Sequence, residues 1–381
     1  MIKKVFPVLA LCVFSSTLGI GIVSPLLPLY LRDMGATSIW LGIIVASYFI
    51  SNSVAVPIAG RLSDRRGRKL FLVIGLLAYA IISVGYVWAG TVSHLALVRL
   101  IQGIAGAVTI PIAMAYLGDL SPEGEEGRWQ GYADAAFFSG FGFGPLLGGV
   151  VTENFGMTTA FLSMSSLNLL AAMVALVFLP ESTRRQTSKE FHLSFKEMSA
   201  SSMVKGLFSF RVAQALGRGG ITAFLPIFAS MIGLSTSLIG ILLTINILSM
   251  TLFTPLGGLL ADRFNRRNLI ILGNILFTIL LAAIPLTTSF WLLLGVLLIH
   301  GLSATVSSPA AGALTVEEGR KFGMGSTISI LFLAQSLGMA LGPIISGGVA
   351  DLLNIDSVFY LGAVLGIIGT ALFIWFTRGY S

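Results

Sequence analysis

Apolar residues fall in twelve long runs, near 6–31, 39–61, 70–90, 94–118, 129–151, 158–180, 206–231, 237–261, 268–288, 290–314, 323–350 and 357–377, separated by short polar stretches. A helix crosses the roughly 30 Å hydrocarbon core of a bilayer in about 20 residues, so each run is long enough to span it. Most connections between runs are shorter than ten residues. Backbone N–H and C=O groups find no water in hydrocarbon and must pair within their own segment, so the runs are expected as helices. The expected fold class is an all-α membrane protein with twelve transmembrane helices. Lys3 and Lys4 before the first run imitate a signal peptide, but the run is too long for one and lacks a small-residue cleavage site. It reads as a retained first span.

The spans come in two copies. A single shift of 198 residues, without a gap, places Pro28 on Pro226, Gly42 on Gly240, Pro57 on Pro255, Gly60 on Gly258, Asp64 on Asp262, Arg65 on Arg263 and Arg68 on Arg266. Further along it places Gly103 on Gly301, Gly140 on Gly338, Gly144 on Gly342, Pro145 on Pro343 and Gly149 on Gly347. Gly-rich helices align easily one residue at a time; charged motifs and several spans in one register do not. Each copy holds an even number of spans, so both enter the membrane from the same side. The expectation is two pseudo-symmetric six-helix bundles, residues 1–180 and 206–381, joined by a cytoplasmic linker at 181–205. A substrate pathway is expected between them near the midplane. The linker carries Arg184, Arg185, Lys189, Lys196 and Lys205 and reads as a solvated tether.

Composition narrows the class further. Hydrophobic residues make up 55% of the chain and charged residues 10%, against about 25% charged in soluble proteins. Lys3, Lys4, Arg61, Arg65, Arg66, Arg68, Lys69, Arg128, Arg263, Arg266, Arg267, Arg320, Lys321 and Arg378 all fall on one side of the spans, and Arg32 alone falls on the other. That bias predicts both termini in the cytoplasm of a cell inner (plasma) membrane. It also accounts for the net charge of +7, which points to the anionic lipid bilayer as partner and not to nucleic acid. The single cysteine, Cys12, excludes an intrachain disulfide and a cysteine-based metal site. Three scattered histidines supply no convergent nucleophile, base or ligand set, so neither an enzyme, a metal nor a cofactor is expected. No phosphate-binding loop is present, which leaves an ion gradient as the energy source.

Two motifs carry the first mechanistic signal. Between spans 2 and 3 stands Gly60-Arg-Leu-Ser-Asp64-Arg65-Arg66-Gly67-Arg68-Lys69, echoed between spans 8 and 9 by Gly258-Leu-Leu-Ala-Asp262-Arg263-Phe-Asn265-Arg266-Arg267. The leading glycine allows close helix approach, the aspartate ends a helix and can accept from arginine, and Gly67 tolerates the positive φ of a tight turn. At every fixed position the first copy resembles the G-x-L-x-D-R-x-G-R-K signature of the major facilitator superfamily, and the twelve spans, duplication and linker extend the resemblance over the whole chain. The second copy departs at Asn265, where the signature has glycine. The resemblance implies a conformational latch at Gly60, Asp64, Arg65, Gly67, Arg68, Asp262, Arg263 and Arg266, with Asp119 at the inner end of span 4 as charge partner. A role in topology and folding alone is the alternative.

Span 4 holds Arg99-x-x-Gln102-Gly103, similar to the superfamily's signature in that span. An arginine in hydrocarbon costs several kcal/mol and should face a cavity or a partner. Span 5 reads Gly131-x8-Gly140-x3-Gly144-Pro145-x2-Gly148-Gly149, resembling at all six fixed positions the motif that marks efflux antiporters of the superfamily. Its four-residue spacing lines small side chains along one stripe, and Pro145 removes a backbone hydrogen bond. Span 1 lacks the acidic residue that such exporters use, so the proton carrier is open between Asp134, which could instead pair with a cytoplasmic arginine, and His300, which could instead be a packing residue. Arg218 is a candidate for recognising an anionic group, or for neutralising a carboxylate of the other half. The leading reading is proton-coupled efflux of small amphipathic or hydrophobic compounds by a functional monomer. Uptake or facilitated transport of a polar or anionic metabolite is the alternative, and a non-transporting receptor or scaffold is the alternative of another class.

Overall fold

The computed structural model describes residues 2–122, 125–181 and 201–379. Twelve long helices account for nearly all of them: α1 (Ile2–Asp33), α2 (Ser38–Arg66), α3 (Arg68–Trp88), α4 (Val92–Leu120), α5 (Glu126–Phe155), α6 (Met157–Phe178), α7 (Ser202–Met231), α8 (Thr236–Arg263), α9 (Arg266–Ala283), α10 (Phe290–Phe322), α11 (Met324–Leu352) and α12 (Asp356–Phe376). All twelve contain a stretch long and apolar enough to cross a membrane. Most of the linker, with Arg184, Arg185, Lys189 and Lys196, lies outside the described residues, as does the side chain of Arg128. At the linker's end the helix begins at Ser202, before the expected boundary of 206, because Ser201 caps it: Val204 N donates to Ser201 Oγ at 3.3 Å.

Several helices outrun their apolar runs. The last turns of α2 take in Asp64, Arg65 and Arg66, and the last turns of α10 take in Glu317, Glu318, Arg320 and Lys321. The motif expected as a loop is therefore two helix ends with Gly67 alone between them. Large apolar side chains such as Ile81, Trp88, Leu252 and Trp291 stand exposed on the helix surfaces, a pattern that suits lipid and not water.

The chain forms two compact units. One comprises α1 to α6 without Thr37–Gly42 and with Gly233–Thr244; the other comprises α7 to α12 with Thr37–Gly42. In the first, α1 is the most enclosed element, and Val5, Leu9, Cys12, Leu72, Leu76, Tyr116 and Ala175 form a core with Trp129. In the second, α7 takes the matching role, with Leu207 and Phe210 packed among Ile270, Leu314 and Phe373. Lipid tails are as apolar as these side chains, so close packing and hydrogen bonds between helices hold each unit together. Buried and half-buried amides serve that purpose. Asn52 Nδ2 donates to Gly103 O at 3.0 Å, Asn274 Nδ2 to Thr370 Oγ1 at 2.7 Å, and Gln214 Nε2 to Ser307 Oγ at 3.4 Å.

Each unit also carries a carboxylate on a helix start. In the first unit Ser237 N donates to Glu153 Oε2 at 2.8 Å. In the second, Ser38 N and Ile39 N donate to Asp351 at 2.7 and 2.9 Å. An acid suits the positive end of a helix, and Glu153 and Asp351 are repeat equivalents.

Candidate functional site

Arg68 is the centre of the first motif. Its guanidinium pairs with Asp64 Oδ1 at 2.9 Å, four residues earlier, and with Asp119 through Nε. Both members of the Arg68–Asp119 pair are almost buried, with side chains 10% and 7% exposed. Arg65 is exposed and enters no ion pair found among the described residues. The expected turn glycine is as the sequence reading has it: Gly67 sits at φ 98°. A side chain there would also strike the Glu181 carboxylate, which accepts from Lys69 N at 3.3 Å and so caps α3.

The second motif keeps the long-range pair and changes the turn. Arg266 pairs with Glu317, the repeat equivalent of Asp119. Asp262 and Arg263 are exposed, and Arg266 Nε donates to Ala261 O at 3.2 Å in place of an aspartate. Asn265, the departure from the signature, has φ −61° and accepts from Asn268 N at 3.2 Å. A glycine has no side chain to do this. The second turn is thus capped by its own residue, where the first is capped by Glu181.

The α5 stripe packs on α1. A Cβ on Gly140 would lie 2.5 Å from Phe14 O, one on Gly144 2.7 Å from Leu18 O, and one on Gly148 2.8 Å from Ile22 O. Three consecutive turns of α5 therefore meet the α1 backbone directly, with Pro145 inside the seam. Gly149 faces Thr236 and Ser237 instead, and Gly131 has nothing within 4 Å. Five of the six motif positions are thus contact positions, and one is not.

Buried polar side chains form one layer in each unit. In the first, Arg99 is 6% exposed; its Nη1 donates to Gln102 Oε1 at 3.0 Å, and its guanidinium carbon lies 5.3 Å from the centre of the Tyr48 ring. Tyr86 Oη donates to the same Gln102 oxygen at 2.5 Å. In the second unit the equivalents of Tyr48, Arg99 and Gln102 are Asn246, Leu297 and His300. Asn246 Nδ2 donates to Leu297 O at 2.8 Å and lies 3.1 Å from His300 Nδ1, while the Phe277 ring lies 4.3 Å from the His300 ring, tilted by 38°. Arg218 Nη2 reaches Met250 Sδ at 3.3 Å. Asp134 belongs to neither layer. It is exposed on α5 and accepts from Gln130 Nε2, one turn away, at 3.2 Å.

Sequence reasoning missed Glu317, Glu153 and Asp351. Glu317 was findable, since the shift of 198 carries Asp119 onto it. Tyr48, Tyr86 and Asn246 were missed as partners of the buried layer because nothing in a single helix reveals which residue of another helix it meets.

Twelve apolar helices, two units built on one repeated sequence, and ionisable groups buried inside each define a multi-pass membrane transporter. The chain belongs to the Major Facilitator Superfamily, whose model matches it twice, at residues 9–213 and 207–380, and it is a transporter of small molecules and not an enzyme. It is 27% identical over 372 residues to an uncharacterized MFS-type transporter of Methanocaldococcus jannaschii, covering 96% of both chains. It is 28% identical over 396 residues to Multidrug resistance protein 2 of Bacillus subtilis, covering 98% of this chain and 95% of that one. Among solved structures it resembles a bacterial homologue of the human lysosomal transporter Spinster, at 16% identity and a TM-score of 0.84, over 99% of this chain and 97% of that one. That likeness concerns the fold.

Proposed function

We propose that this transporter exports small amphipathic or hydrophobic compounds by alternating access, driven by protons moving the opposite way. The observation that carries the reading is the α5 seam, where the complete antiporter-type glycine motif lies against α1 at Gly140, Gly144 and Gly148. Similarity along nearly the whole chain to a protein named for multidrug resistance supports the same direction. In this reading the membrane is the cell's plasma membrane, both termini are cytoplasmic, and Arg68 with Asp64 and Asp119 latches one state of the cycle. Arg266 with Glu317 does the same in the second copy. Asp134 is the proton carrier, a carboxylate inside the α5 span whose hydrogen bond among the described residues is to Gln130.

Flux through the purified chain in proteoliposomes with an imposed pH gradient tests the reading, with cationic dyes and anionic metabolites compared as substrates. Gradient-dependent movement of an amphipathic dye in the export sense is expected; gradient-independent movement of every compound rejects antiport. Uptake of a polar or anionic metabolite is the second reading. It is favoured by Arg99 and Arg218, cations within the spans that enter no ion pair found among the described residues.

A further inference from the structure

Asn246 and Met250 lie one turn apart on the same face of α8, with Cβ atoms about 6 Å apart by helix geometry. Each is met by a side chain from a different helix: Asn246 Nδ2 by the His300 ring of α10, and Met250 Sδ by the Arg218 guanidinium of α7. The two side chains therefore flank one stretch of α8 within the second unit.

Hydrogen-bond accounting fixes the tautomer of His300. An amide NH2 has two hydrogens. One goes to Leu297 O at 2.8 Å, an obligate acceptor, which settles which end of the Asn246 amide is nitrogen. The other points to His300 Nδ1 at 3.1 Å. A ring nitrogen that accepts carries no proton, so the ring proton is assigned to Nε2. That atom is buried and has no partner among the described residues, on a residue only 4% exposed. Arg218 is no better satisfied. Its hydrogen bond among the described residues goes to a thioether, a weak acceptor.

The cluster thus holds an N–H and a guanidinium with no acceptor of matching strength, in a place where unpaired polar groups are costly. We propose that Arg218 and the His300 Nε2–H bind the carboxylate of an amphipathic organic anion, and that the Phe277 ring beside His300 faces its apolar body. The proposal rests on the export reading above and names the charge of the compounds exported. It also gives His300 the task of donating a hydrogen bond to substrate, in place of carrying the coupling proton. The pole is one-sided, because the equivalents of Arg218 and Met250 in the first unit are Ile20 and Asn52.

The test is equilibrium binding, read as thermal stabilisation of the full chain in phosphatidylcholine nanodiscs. The probes are hexanoate, benzoate, 1-naphthylacetate and laurate, each beside its primary amide. At least one of the larger carboxylates is expected to bind about tenfold or more tightly than its amide, the size of a charge-assisted hydrogen bond. Arg218→Gln should bring that ratio to within about twofold, and His300→Ala should lower it while His300→Gln, which retains an N–H, restores part of it. Equal binding of carboxylates and amides by the unmodified protein overturns the proposal without any variant having to fold. Full selectivity in Arg218→Gln overturns it too. So does Arg218-dependent stabilisation by phosphatidylglycerol alone, which would make the ligand a lipid. No gradient is present, so loss of gradient-driven flux with carboxylate selectivity intact rejects export and leaves this site standing; the reverse result rejects this site alone.

Discussion

Gly144→Ala tests whether the α5 motif works as a packing seam. A Cβ at Gly144 would lie 2.5 Å from Gly21 Cα and 2.7 Å from Leu18 O, both backbone atoms that no rotamer change can move. Carbon contacts are comfortable at about 3.5–4.0 Å, so α1 and α5 must part by about 1 Å along the seam. Over-packing of this kind costs about 1–3 kcal/mol. The substitution also gains up to about 1 kcal/mol of helix propensity, which would blur a single measurement. Gly131→Ala supplies the correction, because Gly131 lies on the same helix with nothing within 4 Å. The propensity gain cancels between the two variants, and their difference isolates the cost of over-packing. Unfolding of the purified protein in nanodiscs, by heat and by denaturant, should place Gly144→Ala about 1–3 kcal/mol below Gly131→Ala. Gradient-driven dye flux should fall in the same order. Equal stabilities for the two variants would refute the seam, and would leave the glycine motif a resemblance without a mechanical basis here.

Variants at four further positions have expected outcomes. Asp119→Asn strands the nearly buried Arg68, which should cost about 3 kcal/mol, the low end for a broken buried pair, since Asp64 still holds Arg68 at 2.9 Å. Glu317→Gln breaks a pair whose side chains are 30% and 36% exposed and should cost less than about 1 kcal/mol in the same unfolding assay; equal costs would contradict the asymmetry. Asn265→Ala removes the α9 cap and should lose about 1 kcal/mol, with Asn265→Gly losing only a few tenths, as read by thermal unfolding. Asp134→Asn should abolish pH-gradient drive while leaving equilibrium substrate binding intact, and unchanged coupling in proteoliposomes would remove Asp134 from the proton path.

The spans and the duplication were legible because both are periodic: apolar runs set by membrane thickness, and motifs recurring at one shift. The motif turn was legible at Gly67, where the chain needs positive φ, but not at Asn265, where the sequence shows only a mismatch and the structure shows a cap. The span ends were the weakest part of the reading. The apolar run that stops at 314 gives no sign that α10 continues through Glu317, because hydropathy marks where lipid ends and not where a helix does. The sequence leaves Asp134 open between a proton carrier and the partner of a cytoplasmic arginine; among the described residues it accepts from Gln130 on its own helix.

Contacts between helices are the information a single sequence hides, yet the repeat recovers some of it. Arg68 meets Asp119, Asn52 meets Gly103, Arg266 meets Glu317 and Asn246 meets Leu297, and each pair is separated by 51 residues. Duplication has preserved the register between helices as well as the helices themselves. Where register is held, side chains can differ without moving the helices they join. Tyr48, Arg99 and Gln102 occupy the places of Asn246, Leu297 and His300, so one unit has a cation held by Gln102 beside an aromatic ring and the other has an amide that orients an imidazole. On the proposed function this difference is where each unit would meet protons and substrate, Arg99 held by Gln102 in one and the Arg218–His300 pole in the other.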